Sequence, residues 1–173
     1  AGRIEVRAAQ GAQAAIRLAA PQAPVLDTAD ATAPGERRIG FCVAGVPHVV
    51  VLVDEAAAVP IAARGAALRA PTVDRAAGAN VNFVARAATG DADAAWVIRT
   101  FERGVEGETL ACGSGTVATA TLLAAWGLAP AEGPVALRTA SGRVLTVTAL
   151  PTGGVELAGE GRIVYEGRLR SVR

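Results

Sequence analysis

The chain has no methionine, no lysine and one histidine among its 173 residues, and only 3% of its residues are aromatic. Every basic side chain is therefore arginine, or His48 when protonated. Acidic and basic residues nearly cancel, at a net charge of +1, and Arg17 and the Arg37–Arg38 pair are scattered rather than massed. That leaves no broad positive field for nucleic acid or an anionic membrane, so neither is an expected partner. No apolar run is long enough to span a bilayer. The two cysteines, Cys42 and Cys112, make no disulfide framework, and two isolated thiols suit a reducing, cytoplasmic setting. One histidine and two separated cysteines supply no metal-ligand cluster, so no metal is expected.

What is present is a globular composition, 51% hydrophobic and 19% charged. Arg3–Arg7 alternates polar and apolar as a half-buried strand does, and Ala15–Leu18 reads as its return. Residues 21–38 are rich in Pro, Ala, Asp and Thr and read as a connection. His48 is followed by Val49-Val50-Val51-Leu52-Val53, a strong strand. Pro60 opens a short helix to Ala70. Val81–Arg86 and Trp96–Phe101 are further strands, with Gly90-Asp91 turning between them. Thr116–Trp126 is the best helix, stopped by Gly127, and it has no polar face, which predicts burial on most sides. Short strands at Val135–Arg138, Arg143–Thr148 and Ile163–Glu166 complete the pattern. Many short strands about one buried helix predict an α+β fold with a curled sheet, not a doubly wound one. Gly113-Ser114-Gly115 has neither a following lysine nor Rossmann spacing, so no nucleotide cofactor is expected.

The chemistry gathers at Ala111-Cys112-Gly113-Ser114-Gly115, just before that helix. The first N–H groups of a helix lack partners inside it and favour an anion, whether thiolate or carboxylate. The bland alternative is a buried structural cysteine in a cap loop. Glu102-Arg103 ends the preceding strand. A guanidinium there can fork to the carboxylate of an amino acid while the glutamate accepts from its ammonium. An exposed ion pair is the alternative. His48 stands at the mouth of a strong strand, where a histidine can tune a thiol or position a substrate. Asn80 begins a strand and can donate to a carboxylate, or serve only as a turn amide. Cys42 falls within a strand and reads as core.

Four motifs in order give the chain a resemblance to the diaminopimelate epimerase family. They are Gly45-Val46-Pro47-His48, Gly78-Ala79-Asn80-Val81-Asn82-Phe83, Glu102-Arg103-Gly104 with Gly107-Glu108-Thr109, and Ala111-Cys112-Gly113-Ser114-Gly115. Val164-Tyr165-Glu166-Gly167 extends the likeness towards the end. The resemblance implies cofactor-free inversion of LL-2,6-diaminopimelate to the meso form by two opposed cysteines. One cysteine takes the α-proton and the other returns a proton to the opposite face. On that resemblance Cys112 is one of the pair, with Glu102 and His48 assisting it. Asn80, Glu102 and Arg103 contact the substrate, and the backbone of Gly113 and Ser114 cradles its α-carboxylate. It also implies two similar domains, each a curled sheet about a central helix.

The departures shape the expectation for this chain. The family's first cysteine motif, Cys-Gly-Asn, is absent, and Cys42 lacks the Gly-Asn that would replace it. The chain opens at Ala1-Gly2-Arg3 without methionine, which fits either removal of an initiator or a start inside a longer protein; the resemblance implies an interior strand there. Residues 1–25 are then expected to be strands of an N-terminal domain mostly outside this chain. Residues 26–40 would be a linker, 41–162 the C-terminal epimerase domain, and 163–173 a strand returning to the first domain. The chain alone is expected to be inactive, its partner half lying in the same protein or in a separate chain, and a homodimer fits the same picture. Val46 stands where many members have asparagine, and Glu106 lengthens the Arg103–Gly107 loop by one residue. The alternatives are a related cofactor-independent racemase or isomerase, and a non-catalytic fragment or binding module that keeps the fold.

Overall fold

The computed structural model describes residues 5–8, 13–72, 76–151, 153–162 and 165–168. The strands are β1 (Glu5–Ala8), β2 (Gln13–Leu18), β3 (Glu36–Ala44), β4 (Val46–Val53), β5 (Asn80–Arg86), β6 (Trp96–Glu102), β7 (Gly107–Thr109), β8 (Pro134–Arg138), β9 (Val144–Ala149) and β10 (Val155–Glu160). Among the described residues two helices, α1 (Ile61–Arg69) and α2 (Gly113–Ala125), interrupt them. Among the described residues all ten strands join one sheet, ordered β1-β2-β10-β9-β8-β6-β5-β4-β3, with β7 paired to β6. The pairs β4–β5 and β6–β8 are parallel and the others antiparallel.

The helices cover opposite faces of the sheet. Alternation along β4 sends Val50 towards α2, where it packs in a core with Val84, Ile98, Leu122 and Leu123. It sends Val49 and Val51 to the other face, with Phe83, Phe101 and the α1 residues Ile61 and Leu68. Strand β5 is covered on both sides, and Asn80 through Ala85 are all buried. That is why Phe83-Val84-Ala85 runs apolar without alternation, and why the asparagines at 80 and 82 are held by hydrogen bonds inside the protein.

The expected curled sheet around a central helix is not what the chain builds. The sheet is neither closed nor strongly curled, and its strand order is an open path from β1 to β3. The sequence signal misled for a physical reason. A helix without charges need not be buried all round if its outward residues are small. Helix α2 buries Val117, Ala118, Leu122 and Leu123 and leaves Thr121, Ala124 and Ala125 accessible. Those three residues line an apolar groove with Pro21, Val135 and Val155.

Several boundaries moved. Helix α2 starts three residues before the expected Thr116. Strand β10 was not anticipated, while Ile163 and Val164 of the expected last strand lie outside the described residues, and Tyr165 and Glu166 are not in a strand. The stretch read as a connection is tied to the edge of β3. The N–H of Gln22 donates to Val43, those of Val25 and Thr28 donate to Phe41 and Ile39, and Phe41 donates back to Val25. Trp126 Nε1 donates to Leu26 O at 2.8 Å, and Asp27 is forked by Arg38, whose guanidinium stacks on Trp126. No helix among the described residues is long and apolar enough to cross a membrane.

Candidate active site

Sheet topology brings the singled-out residues together. Parallel β4 and β5 start side by side, with His48 registered against Asn80. Antiparallel β6 ends where β5 starts, Val81 facing Phe101, so Glu102 closes β6 and Arg103 leaves the sheet there. The side-chain oxygen of Asn80 accepts a 2.8 Å hydrogen bond from the backbone N–H of Arg103. The Arg103 guanidinium donates to Ala77 O at 2.9 Å.

Cys112 is the N-cap of α2, in extended conformation with φ −131° and ψ 106°. Its carbonyl accepts from the Thr116 N–H and hydroxyl, which starts the helix. The N–H groups of Gly113, Ser114 and Gly115 have no carbonyl one turn earlier within the helix. The Cys112 thiol is buried and lies 3.6 Å from Ser114 Oγ.

Gly115 connects this helix start to the strand ends. A Cβ placed on it would lie 2.3 Å from Asn82 Oδ1 and 3.2 Å from Cys112 Sγ. Only a residue without a side chain lets the helix approach β5 so closely. Asn82 in turn reaches His48, its Nδ2 lying 3.2 Å from His48 Nδ1 and donating to Val49 O at 3.1 Å. Thr100 Oγ1 donates to Asn82 Oδ1 at 3.0 Å. Thr100, Asn82 and His48 thus form a buried polar chain under the Cys112 loop.

His48 is fully buried, and its Nε2 has no hydrogen-bond partner among the described residues. Burial, reinforced by the positive charge of Arg103, lowers its pKa to about 4. The imidazole is therefore neutral near pH 7. Cys42 sits opposite His48 on β3, but burial raises its thiol to about 11, as a core cysteine requires. Glu102 is half-buried at the end of β6, paired in register with Gly107. The additional loop residue, Glu106, takes a left-handed backbone with φ 57°. Its carboxylate accepts from Arg69 and from the Gly104 N–H, which anchors the loop. Among the described residues no group of His, Cys, Asp and Glu is arranged to hold a metal.

The sequence reading gave no role to Asn82 or Thr100. The signal was present in β5, because a polar residue inside a strand buried on both faces must have hydrogen-bond partners.

The fold has counterparts among solved structures. Solved structures of similar fold include a PhzF-family phenazine biosynthesis protein from Bacillus anthracis (TM-score 0.63, 13% identity, 91% of this chain and 61% of that one). Another is a hydroxyproline epimerase from Agrobacterium vitis (TM-score 0.58, 20% identity, 86% and 49%). At those identities the likeness is one of fold. The diaminopimelate epimerase family model matches residues 41–161. Curated diaminopimelate epimerases from Gemmatimonas aurantiaca and Aquifex aeolicus are 47% and 38% identical, over 84% and 92% of this chain. The chain belongs to the diaminopimelate epimerase family. It spans about half the length of these relatives, 54% and 55% respectively.

Proposed function

We propose that the full-length protein inverts the α-carbon of a diaminopimelate-type amino acid, with this chain supplying one half of the site. The observation that carries the reading is the placement of Cys112 at the start of α2. Gly115, in the first turn of that helix, lies against both the Cys112 sulfur and Asn82 of β5, and Asn82 reaches His48 on β4; this supports a site shared with Asn80, Glu102 and Arg103 at the neighbouring strand ends. Cytoplasmic lysine and cell-wall precursor synthesis is the setting this activity would serve.

In this reading the Cys112 sulfur, as thiolate, takes the α-proton. The C–H bond breaks, an S–H bond forms, and the electron pair passes into the substrate carboxylate. The unpaired N–H groups of Gly113 and Ser114 stabilise that charge where it develops. Arg103 and Glu102 hold the carboxylate and ammonium of the substrate, Asn80 fixes the loop, and His48 assists at the sulfur. A second thiol, from a Cys-Gly-Asn segment outside this chain, delivers its proton to the opposite face, since inversion needs two opposed groups. The reading calls for no cofactor.

The test is turnover of LL-diaminopimelate by the full-length protein in deuterium oxide. Deuterium should enter the α-carbon with inversion, and Cys112→Ala should abolish both. The 173-residue chain alone should be inactive. Exchange by that chain alone at an enzymatic rate, or by Cys112→Ala, would overturn the division of labour.

A further inference from the structure

The buried chain Thr100–Asn82–His48 determines which nitrogen of His48 carries the proton. A backbone carbonyl can only accept, and Val49 O lies 3.1 Å from Asn82 Nδ2. The NH2 end of the amide therefore faces Val49. The opposite end, Oδ1, receives the Thr100 hydroxyl, which agrees with that orientation. The same NH2 group lies 3.2 Å from His48 Nδ1. An amide NH2 offers hydrogens and no acceptor, so Nδ1 must be the unprotonated nitrogen. In a neutral imidazole the proton then sits on Nε2. That nitrogen is buried with no partner among the described residues, so its N–H gains most from an anionic acceptor.

We propose that Asn82 is a positioning residue that locks His48 as the Nε2–H tautomer and so makes it a neutral hydrogen-bond donor to the anionic group of the site. His48 then works by donating from Nε2 instead of taking a proton. The acceptor is an anion of one of two sources, the substrate carboxylate or the Cys112 thiolate. Only that last assignment rests on the function proposed above. The tautomer follows from the hydrogen bonds alone.

The experiment is nitrogen NMR on the full-length protein labelled with 15N-histidine, with His48 assigned by the loss of its signals in His48→Gln. The expected result is a pyrrole-type Nε2 and an imine-type Nδ1 at neutral pH without substrate. A protonated Nδ1 in the unaltered protein overturns the proposal, and this arm needs neither a variant nor turnover. In Asn82→Asp the NH2 is gone and the proton should move to Nδ1. A tautomer that stays put in a folded Asn82→Asp also overturns it. Movement of the Nε2 signal on adding diaminopimelate assigns the acceptor to the substrate. Movement in Cys112→Ala without ligand assigns it to the thiolate. If neither moves the signal, His48 is no donor. In an active enzyme Asn82→Asp should lower kcat by roughly 100-fold, as loss of one aimed donor does. It should lower kcat no further in a His48→Gln background, whereas multiplying losses would show that Asn82 acts independently of His48.

Discussion

The oxygen of the Asn80 side chain takes the backbone N–H of Arg103, so the first residue of β5 holds the first residue beyond β6 in place. Asn80 is buried, and this bond satisfies the acceptor of its side chain. Asn80→Ala should cost about 1–3 kcal/mol of stability, read as a lowered denaturant midpoint. Asn80→Asp keeps an acceptor in place and should recover part of that loss. Equal midpoints for Ala and the unaltered protein would show that the bond does not hold the loop.

Arg103 itself contributes little to the fold. Its guanidinium donates to a carbonyl at an exposed position. Arg103→Ala should therefore leave the thermal midpoint nearly unchanged while kcat/KM in the full-length enzyme collapses. Loss of a charge-assisted contact to a carboxylate is worth roughly 2–5 kcal/mol. Unchanged catalytic efficiency would reduce Arg103 to a surface charge.

Gly115→Ala tests the close approach of α2 to β5. Its methyl group would press on the Asn82 amide, a constrained member of the polar chain, and on the Cys112 sulfur. Overpacking of this kind costs about 1–3 kcal/mol, and here it would also displace the thiol. Activity should fall more steeply than stability. A fully active Gly115→Ala enzyme would mean that the packing of Asn82 against α2 has no bearing on the reaction.

Cys112 should react with alkylating agents ahead of Cys42. It stands at a helix start with glycine on its far side, whereas Cys42 is 1% exposed within β3 and burial holds its thiol near 11. Peptide mapping after timed alkylation should place the first label on Cys112, and diaminopimelate should slow it. Labelling of Cys42 first, or no protection by ligand, would count against the assignment of Cys112 to the site.

His48 should make stability depend on pH. Its folded pKa is about 4, below the ordinary 6.5, so between those values the unfolded chain binds the proton and the folded chain does not. Stability from this source is complete above about pH 6.5 and is lost as pH falls towards 4, by about 3 kcal/mol in all. Denaturation of the full-length protein and of His48→Gln across pH 4–7 measures it. The two curves should converge towards acid pH, and a constant gap would contradict a neutral buried imidazole.

The sequence carries the motifs on which the candidate site rests. Polarity and spacing at Cys112, Glu102-Arg103, His48 and Asn80 marked the elements that converge. The Pro60 start of α1 and the bounds of β5 and β6 followed from local pattern. The misreadings came from information that is not local. The charge-free face of α2 reads alike whether strands or small exposed residues cover it, so Thr121, Ala124 and Ala125 looked buried. Asn82 lies two residues from Asn80 on a strand buried on both faces. Its role depends on Val49 and Thr100, neighbours set by strand register. Glu106 read as a plain insertion because its ion pair with Arg69 spans 37 residues of sequence.

The hydrogen bonds that fasten residues 22–28 along β3 have a bearing on solubility. A bare strand edge is a template on which another chain can add, the first step of edge-to-edge aggregation. Here the outward carbonyls of Ile39, Phe41 and Val43 are already occupied by a stretch that is not itself a strand. Pro21 and Pro24 in and beside that stretch have no N–H with which to propagate a ladder. Trp126 and the Arg38–Asp27 fork pin it from the core side and the solvent side. At this border the protein wears its own selvedge, and an incoming strand would first have to unpick it.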